Sequence, residues 1–175
     1  MPGGGHQTTV GQEGAGTGEH KRLYTDQERR RRDESAWTLV QGILAPLQFL
    51  VFLISLGLVV RFLGTGTGVG AADASVVVKT LVLYTIMITG SIWEKEVFGR
   101  WLFAPAFFWE DVFSMLVLAL HTAYLVMLMG DYGDVNQRML VALAAYATYL
   151  INAGQFLYKL RAARLEAANP VAIGA

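Results

Sequence analysis

Four long apolar runs dominate the alternation of hydrophobic and polar positions. The first extends from Ser35 to Val60 without a single Asp, Glu, Lys or Arg. The second covers Ala74 to Trp93 with Lys79 near its start, the third Val112 to Gly130, and the fourth Met139 to Tyr158. Roughly 20 apolar residues cross the hydrocarbon core of a bilayer, and backbone facing lipid must satisfy its hydrogen bonds internally. The pattern therefore predicts an all-α integral membrane protein, a four-transmembrane-helix bundle with spans at about 35–60, 74–93, 112–130 and 139–158. The first run is too long for the core of a cleaved signal peptide. Pro46 lies inside it and is expected to kink the helix. Lys79 is expected to snorkel its ammonium to the interface.

The remaining segments are shorter and polar. Residues 1–20 are rich in Gly, Thr and Gln without an apolar run, which predicts a disordered tail. Residues 21–34 form a charged juxtamembrane segment, expected to be a short interfacial helix with Leu23 and Tyr24 in the headgroups. The membrane domain then occupies 35–158, and 159–175 form a basic C-terminal flank and tail. Gly64 to Asp73 is expected to be a flexible loop and Asp131 to Arg138 a turn. Basic residues crowd both ends of the chain, at Lys21, Arg22, Arg29 to Arg32, Lys159, Arg161 and Arg164. The excess of positive charge places both termini in the cytoplasm, and the segment Glu94 to Glu110 faces the same side.

Composition narrows the function. Of 175 residues, 54% are hydrophobic and 16% charged, with zero formal net charge. No basic excess recommends a nucleic-acid partner. The chain has no cysteine, so disulfides, thiolate metal sites and a cysteine nucleophile are excluded. A phosphate-binding glycine loop, a His-x-x-x-His pair and a second intramembrane histidine are also missing from the sequence, which argues against nucleotide hydrolysis and bis-histidine haem.

What remains is a set of polar groups on the helix faces. Glu110 and His121 are eleven residues apart, about 20° in angle on a helix, with Ser114 between them on the same stripe. Gln41, Gln48 and Ser55 recur every seven residues on the first span, and Thr148, Asn152, Gln155 and Lys159 line the fourth. Amides are costly in hydrocarbon without partners, so these faces should converge inside the bundle on a cavity open to the cytoplasm. Glu94, Glu110 and Asp111 stand at its mouth with Trp93, Trp101 and Trp109. Each group has a structural alternative. His121 and the amides serve equally as interhelical hydrogen-bond partners, the tryptophans as an aromatic belt, and Glu110 and Asp111 as favourable charges at a helix N-terminus. Carboxylates, amides and one histidine suit acid–base chemistry without an added cofactor.

The runs WTLVQGILAPLQFLVF (37–52), SVVVKTLVLYTIMITGSIWEKEVFGRWLFAPAFFWEDVFSMLVLALHTAYL (75–125) and YATYLINAGQFLYKLRAARLEAA (146–168) resemble the vinyl bacteriochlorophyllide hydratase family. The resemblance extends over about 23–168 and leaves out the glycine-rich head. It implies a membrane-bound lyase of bacteriochlorophyll biosynthesis. The implied reaction adds water to the C3-vinyl group of chlorophyllide or bacteriochlorophyllide, giving a 1-hydroxyethyl group, with no redox cofactor. It also implies a bacterial inner membrane and neighbouring pathway enzymes as partners. The residue roles come from position and chemistry instead: Glu110 as the acid that protonates the vinyl group, with Glu94 or Asp111 orienting and deprotonating the water. His121 is expected to hold the pigment through its magnesium or a hydrogen bond. Gln41, Gln48, Ser114, Asn152, Trp93 and Trp109 are expected to line the substrate site. The rival reading is a noncatalytic pigment- or quinone-binding subunit.

Overall fold

The computed structural model describes residues 23–168. The disordered tail expected at 1–20, the first two residues of the charged segment and the end of the C-terminal tail lie outside them. Five helices follow in order: α1 Asp26–Glu34, α2 Ala36–Thr65, α3 Val69–Phe98, α4 Phe108–Gly130 and α5 Val135–Ala168. Four of them, α2 to α5, are long and apolar enough to cross a membrane. They form two antiparallel hairpins, α2 against α3 and α4 against α5, joined face to face. Phe52, Val59, Val76, Val117, Tyr124 and Tyr146 are buried between them, while Leu39, Leu53, Ile88, Val126 and Leu157 point outward. An apolar exterior around a partly polar interior is what a bilayer requires.

The helices are longer than the apolar runs, and three connections are correspondingly tighter. The expected loop Gly64 to Asp73 is helical except at residues 66–68. Gly66 ends α2 with φ 69°, its N–H donating to Phe62 O at 2.7 Å, and Gly68 starts α3 with φ 84°. Glycine takes these left-handed conformations without a Cβ penalty, so a glycine-rich stretch reads as a long loop when it is one sharp reversal. Ala71 to Asp73 then belong to α3. At the other reversal, α5 begins at Val135, and Arg138 is helical and buried. Glu94 likewise lies within α3, whose last turn runs to Phe98. α2 continues on both sides of Pro46.

Starting α3 at Val69 changes the environment of Lys79. It stands two to three turns inside the helix and is fully buried, its Nζ 3.9 Å from the centroid of the Tyr149 ring. The expected snorkelling to the interface does not occur, because a four-carbon stem cannot reach past that much helix.

α1 packs on the same end of the bundle as the α3–α4 connection. A capping box holds its start, with Glu28 N donating to Thr25 Oγ1 and Thr25 N donating to Glu28 Oε2. Tyr24 is 5% exposed, stacked on Phe98 at 5.7 Å and tilted against Phe107 at 6.2 Å, with Arg32 over its ring. The expected insertion of Tyr24 into headgroups is replaced by packing on protein, since an aromatic box one helix away offers more contact than lipid does. Arg31 Nη1 donates to Val97 O at 3.3 Å, securing the helix.

Candidate active site

The α3–α4 connection, residues 99–107, folds back over the bundle end and supplies backbone donors to two carboxyl groups. Phe103 has φ 59°, a left-handed conformation that is strained for a bulky residue. That conformation turns two consecutive N–H groups the same way. Phe103 N donates to Asp111 Oδ2 at 2.7 Å and Ala104 N donates to Glu94 Oε2 at 3.2 Å. Adjacent backbone amides of this kind make an anion-binding concavity. Glu94 and Asp111 are 5% and 4% exposed, and their carboxyl groups are neighbours. Two buried carboxyl groups side by side repel when both are ionised, which favours a single proton on the pair.

Glu110, one residue earlier on α4, meets a different partner. Lys159 reaches over from α5 to place Nζ 2.6 Å from Glu110 Oε2, and the same ammonium donates to Ala106 O and lies over the Phe107 ring. The contact is a charge-assisted salt bridge across the α4–α5 interface. The mouth thus carries three buried carboxyl groups in two settings: a neighbouring pair held by backbone amides and a third paired with an ammonium.

Below the mouth, Asn152 Nδ2 donates to Ser114 Oγ at 2.8 Å. His121, fully buried, donates from Nδ1 to Val117 O at 2.8 Å, because a carbonyl only accepts. Its neutral ring therefore keeps a bare lone pair on Nε2, which has no partner among the described residues. Gln48 Oε1, Asn152 Oδ1, Gln155 Oε1 and Lys79 Nζ are buried and unpartnered in the same way. These atoms come from both hairpins and face the seam between them.

The structure brings Glu94, Glu110, Asp111, Ser114 and Asn152 together at one end, and aligns His121 further along the same stripe of α4. It places others apart. Gln41 donates to Thr89 Oγ1 at 2.8 Å within the α2–α3 hairpin. Trp93 is locked in the aromatic box, its Nε1 donating to Thr38 Oγ1 at 2.9 Å and its ring edge-on to Phe98 and Phe107. Trp109 is 65% exposed beside Phe108. Two contributors escaped the sequence reading. Lys159 was visible in the polar stripe of the fourth span, but a basic residue at a helix end ordinarily marks a solvated flank. The amides of Phe103 and Ala104 carry no side-chain signal at all.

A family model described as 2-vinyl bacteriochlorophyllide hydratase matches residues 24–162. The chain is 68% identical over 149 residues to the 2-vinyl bacteriochlorophyllide hydratase of Rhodobacter capsulatus, covering 85% of this chain and 86% of that protein. It is 68% identical over 147 residues to the protein of the same description from Cereibacter sphaeroides, covering 84% and 91%. No solved structure gives a significant match.

Proposed function

The chain belongs to the 2-vinyl bacteriochlorophyllide hydratase family, and from that premise we propose that the Glu94–Asp111 pair is the acid of a vinyl hydration. The protein is a membrane hydro-lyase that adds water to the vinyl group of a bacteriochlorophyllide-type pigment. The observation that carries the mechanism is the placing of two buried carboxyl groups side by side, each held by one of two consecutive backbone amides.

The steps balance without a further reactant. The π electrons of the vinyl group take the proton from the pair, forming a C–H bond at the terminal carbon. Positive charge develops on the carbon attached to the macrocycle, whose π system spreads it. Glu110, paired with Lys159, lies beside this cation and stabilises it electrostatically. The oxygen of water bonds to the cationic carbon, and the proton it releases returns to the carboxylate pair, completing a 1-hydroxyethyl side chain. This assignment places the acid at Glu94 and Asp111 in preference to Glu110, whose carboxylate pairs with Lys159. No redox or group-transfer cofactor enters. General acid catalysis of this kind contributes about 10²- to 10⁴-fold.

His121 presents a lone pair to the seam, and the magnesium at the centre of the pigment is an electron-pair acceptor suited to it. Helical side chains lean toward the helix start, so His121 reaches back toward Asp111. The exposed ring of Trp109 offers a face for the macrocycle at the mouth. The mouth lies on the cytoplasmic side of a bacterial inner membrane, with both ends of the chain on that side. The basic residues flanking that end support this orientation.

The test is incubation of the full-length protein in detergent with chlorophyllide a, without reductant or nucleotide, in H2O and in D2O. Gain of one water with a blue-shifted red band, and one non-exchangeable deuterium in the new methyl group in D2O, is the expected result. Pigment binding without a change in mass overturns the hydration.

A further inference from the structure

Lys79 has no part in the reaction just described, yet it is the least accommodated side chain in the bundle. Its amine is fully buried and has no hydrogen-bond acceptor among the described residues; it lies over the face of Tyr149. The carboxylate closest to it along α3, Asp73, is already engaged. Asp73 accepts from Tyr124 Oη and pairs with Arg138 Nη2 at 3.3 Å. Charged groups inside a membrane bundle are costly and ordinarily paired, so an ammonium without a counter-charge marks a place where one arrives.

The surroundings define what arrives. The two hairpins are tied together away from the mouth, where Ser55 bonds to Tyr146 at 2.6 Å and where Asp73 holds Tyr124 and Arg138. Toward the mouth the seam offers free acceptors instead, at Gln48, Asn152 and Gln155. These acceptors lie on the mouth side of the ties, where an occupant of the seam would find hydrogen-bond partners. His121 is ten residues past Asp111, about 15 Å along α4, and Lys79 lies near it. His121 offers an electron pair and Lys79 offers protons, so an occupant satisfying both carries an electron-pair acceptor and an anion on one frame.

We propose that Lys79 binds the free carboxylate of the pigment's propionic acid side chain and so selects the unesterified acid over its esters. This rests on the hydratase reading above, because it takes the pigment as the occupant. The vinyl group then stands at the carboxyl pair while the carboxylate reaches the inner end of the seam. The pairing makes Lys79 a specificity-determining residue, and its isolation in the empty bundle follows from its partner being part of the substrate.

The experiment compares chlorophyllide a with its methyl ester in the full-length wild type, Lys79→Met and Lys79→Arg. Loss of one hydrogen bond to a charged group corresponds to about a ten- to hundredfold change in binding. Lys79→Met is expected to raise KM for the acid by that factor, to leave KM for the ester unchanged, and to leave kcat within a few-fold; Lys79→Arg restores part of the preference. Without pigment, Lys79→Met is expected to melt higher than wild type, since an unpaired buried charge is gone. An equal rise in KM for acid and ester, or a lower melting temperature, makes Lys79 a structural residue and overturns the proposal. Stabilisation of pigment-free wild type by chloride, lost in Lys79→Met, assigns the site to a free inorganic anion and overturns it as well. Absorption titrations separate the two readings: acid-over-ester binding that disappears in Lys79→Met supports the carboxylate site even where no hydration is observed.

Discussion

Lys159 Nζ and Glu110 Oε2 meet at 2.6 Å across the α4–α5 interface, with Glu110 almost fully buried and Lys159 a quarter exposed. The pair closes the mouth end of that hairpin and fixes the charge of the carboxylate beside the acid. Lys159→Met leaves a buried carboxylate unpaired and is expected to cost about 2–3 kcal/mol, the lower range for a broken buried pair with one partner partly solvated. Adding Glu110→Gln recovers much of that loss. Denaturant unfolding of both single variants and the double variant in detergent measures the coupling.

Asp111→Asn and Glu94→Gln each remove one carboxyl of the pair while keeping a hydrogen-bonding side chain. Either is expected to lower kcat by about 10²- to 10⁴-fold with pigment binding retained. Glu110→Gln is expected to lower kcat less, because its charge assists and its proton does not transfer. Single-turnover hydration followed by mass spectrometry ranks the three, and a larger loss at Glu110 than at Asp111 returns the acid role to Glu110.

The left-handed backbone of Phe103 aims two amides at the carboxyl pair, and this reverses the ordinary order of small substitutions. Phe103→Gly is expected to be more stable than Phe103→Ala by about 1 kcal/mol, because only the alanine keeps the Cβ strain. Thermal unfolding of the two variants shows whether the strain is present.

Burial pushes the Tyr24 phenol above its ordinary value, with the Arg32 charge pulling the other way. A group whose folded value is raised contributes stability that is complete below the unfolded value, near 10, and lost as pH rises toward the folded one. The docking of α1 is therefore expected to loosen only above about pH 10. Amide exchange in 26–34, measured across that range in wild type and Tyr24→Phe, tests it: the variant is expected to lose the pH dependence.

The absence of native cysteine allows the orientation to be read directly. Single cysteines at Asp26 and Arg164 are expected to react with an impermeant thiol reagent from the cytoplasmic side of oriented membranes. Cysteines at Thr67 and Tyr132 are expected to react from the opposite side.

The apolar runs made the four spans legible, since lipid exposure writes itself into composition. The stripe of Glu110, Ser114 and His121 was legible too, because helical period alone puts those side chains on one buried face. Lys79 was misread for a local reason: the glycines before it were counted as loop, which moved the lysine nearly to a helix end. Tyr24 was misread, and the partner of Lys159 went unnamed, for a long-range reason. Nothing near Tyr24 in sequence announces Phe98 and Phe107, and nothing near Lys159 announces Glu110. The carboxyl pair needed the backbone of Phe103 and Ala104, which no side-chain pattern encodes.

The ties between Asp73, Tyr124 and Arg138, at the turn end of both hairpins, bear on how the protein is made. Each hairpin carries a full set of apolar outer residues and can enter the bilayer by itself, but Asp73 belongs to the first and Arg138 to the second. The two charges lie next to the reversals at Gly66–Gly68 and Asp131–Asp134, so they can wait in water at the membrane surface until both hairpins have inserted. Lys79 has no such refuge. The contact that the second hairpin brings to it is the ring of Tyr149 on α5, so the α2–α3 hairpin alone leaves the Lys79 amine without even that cover.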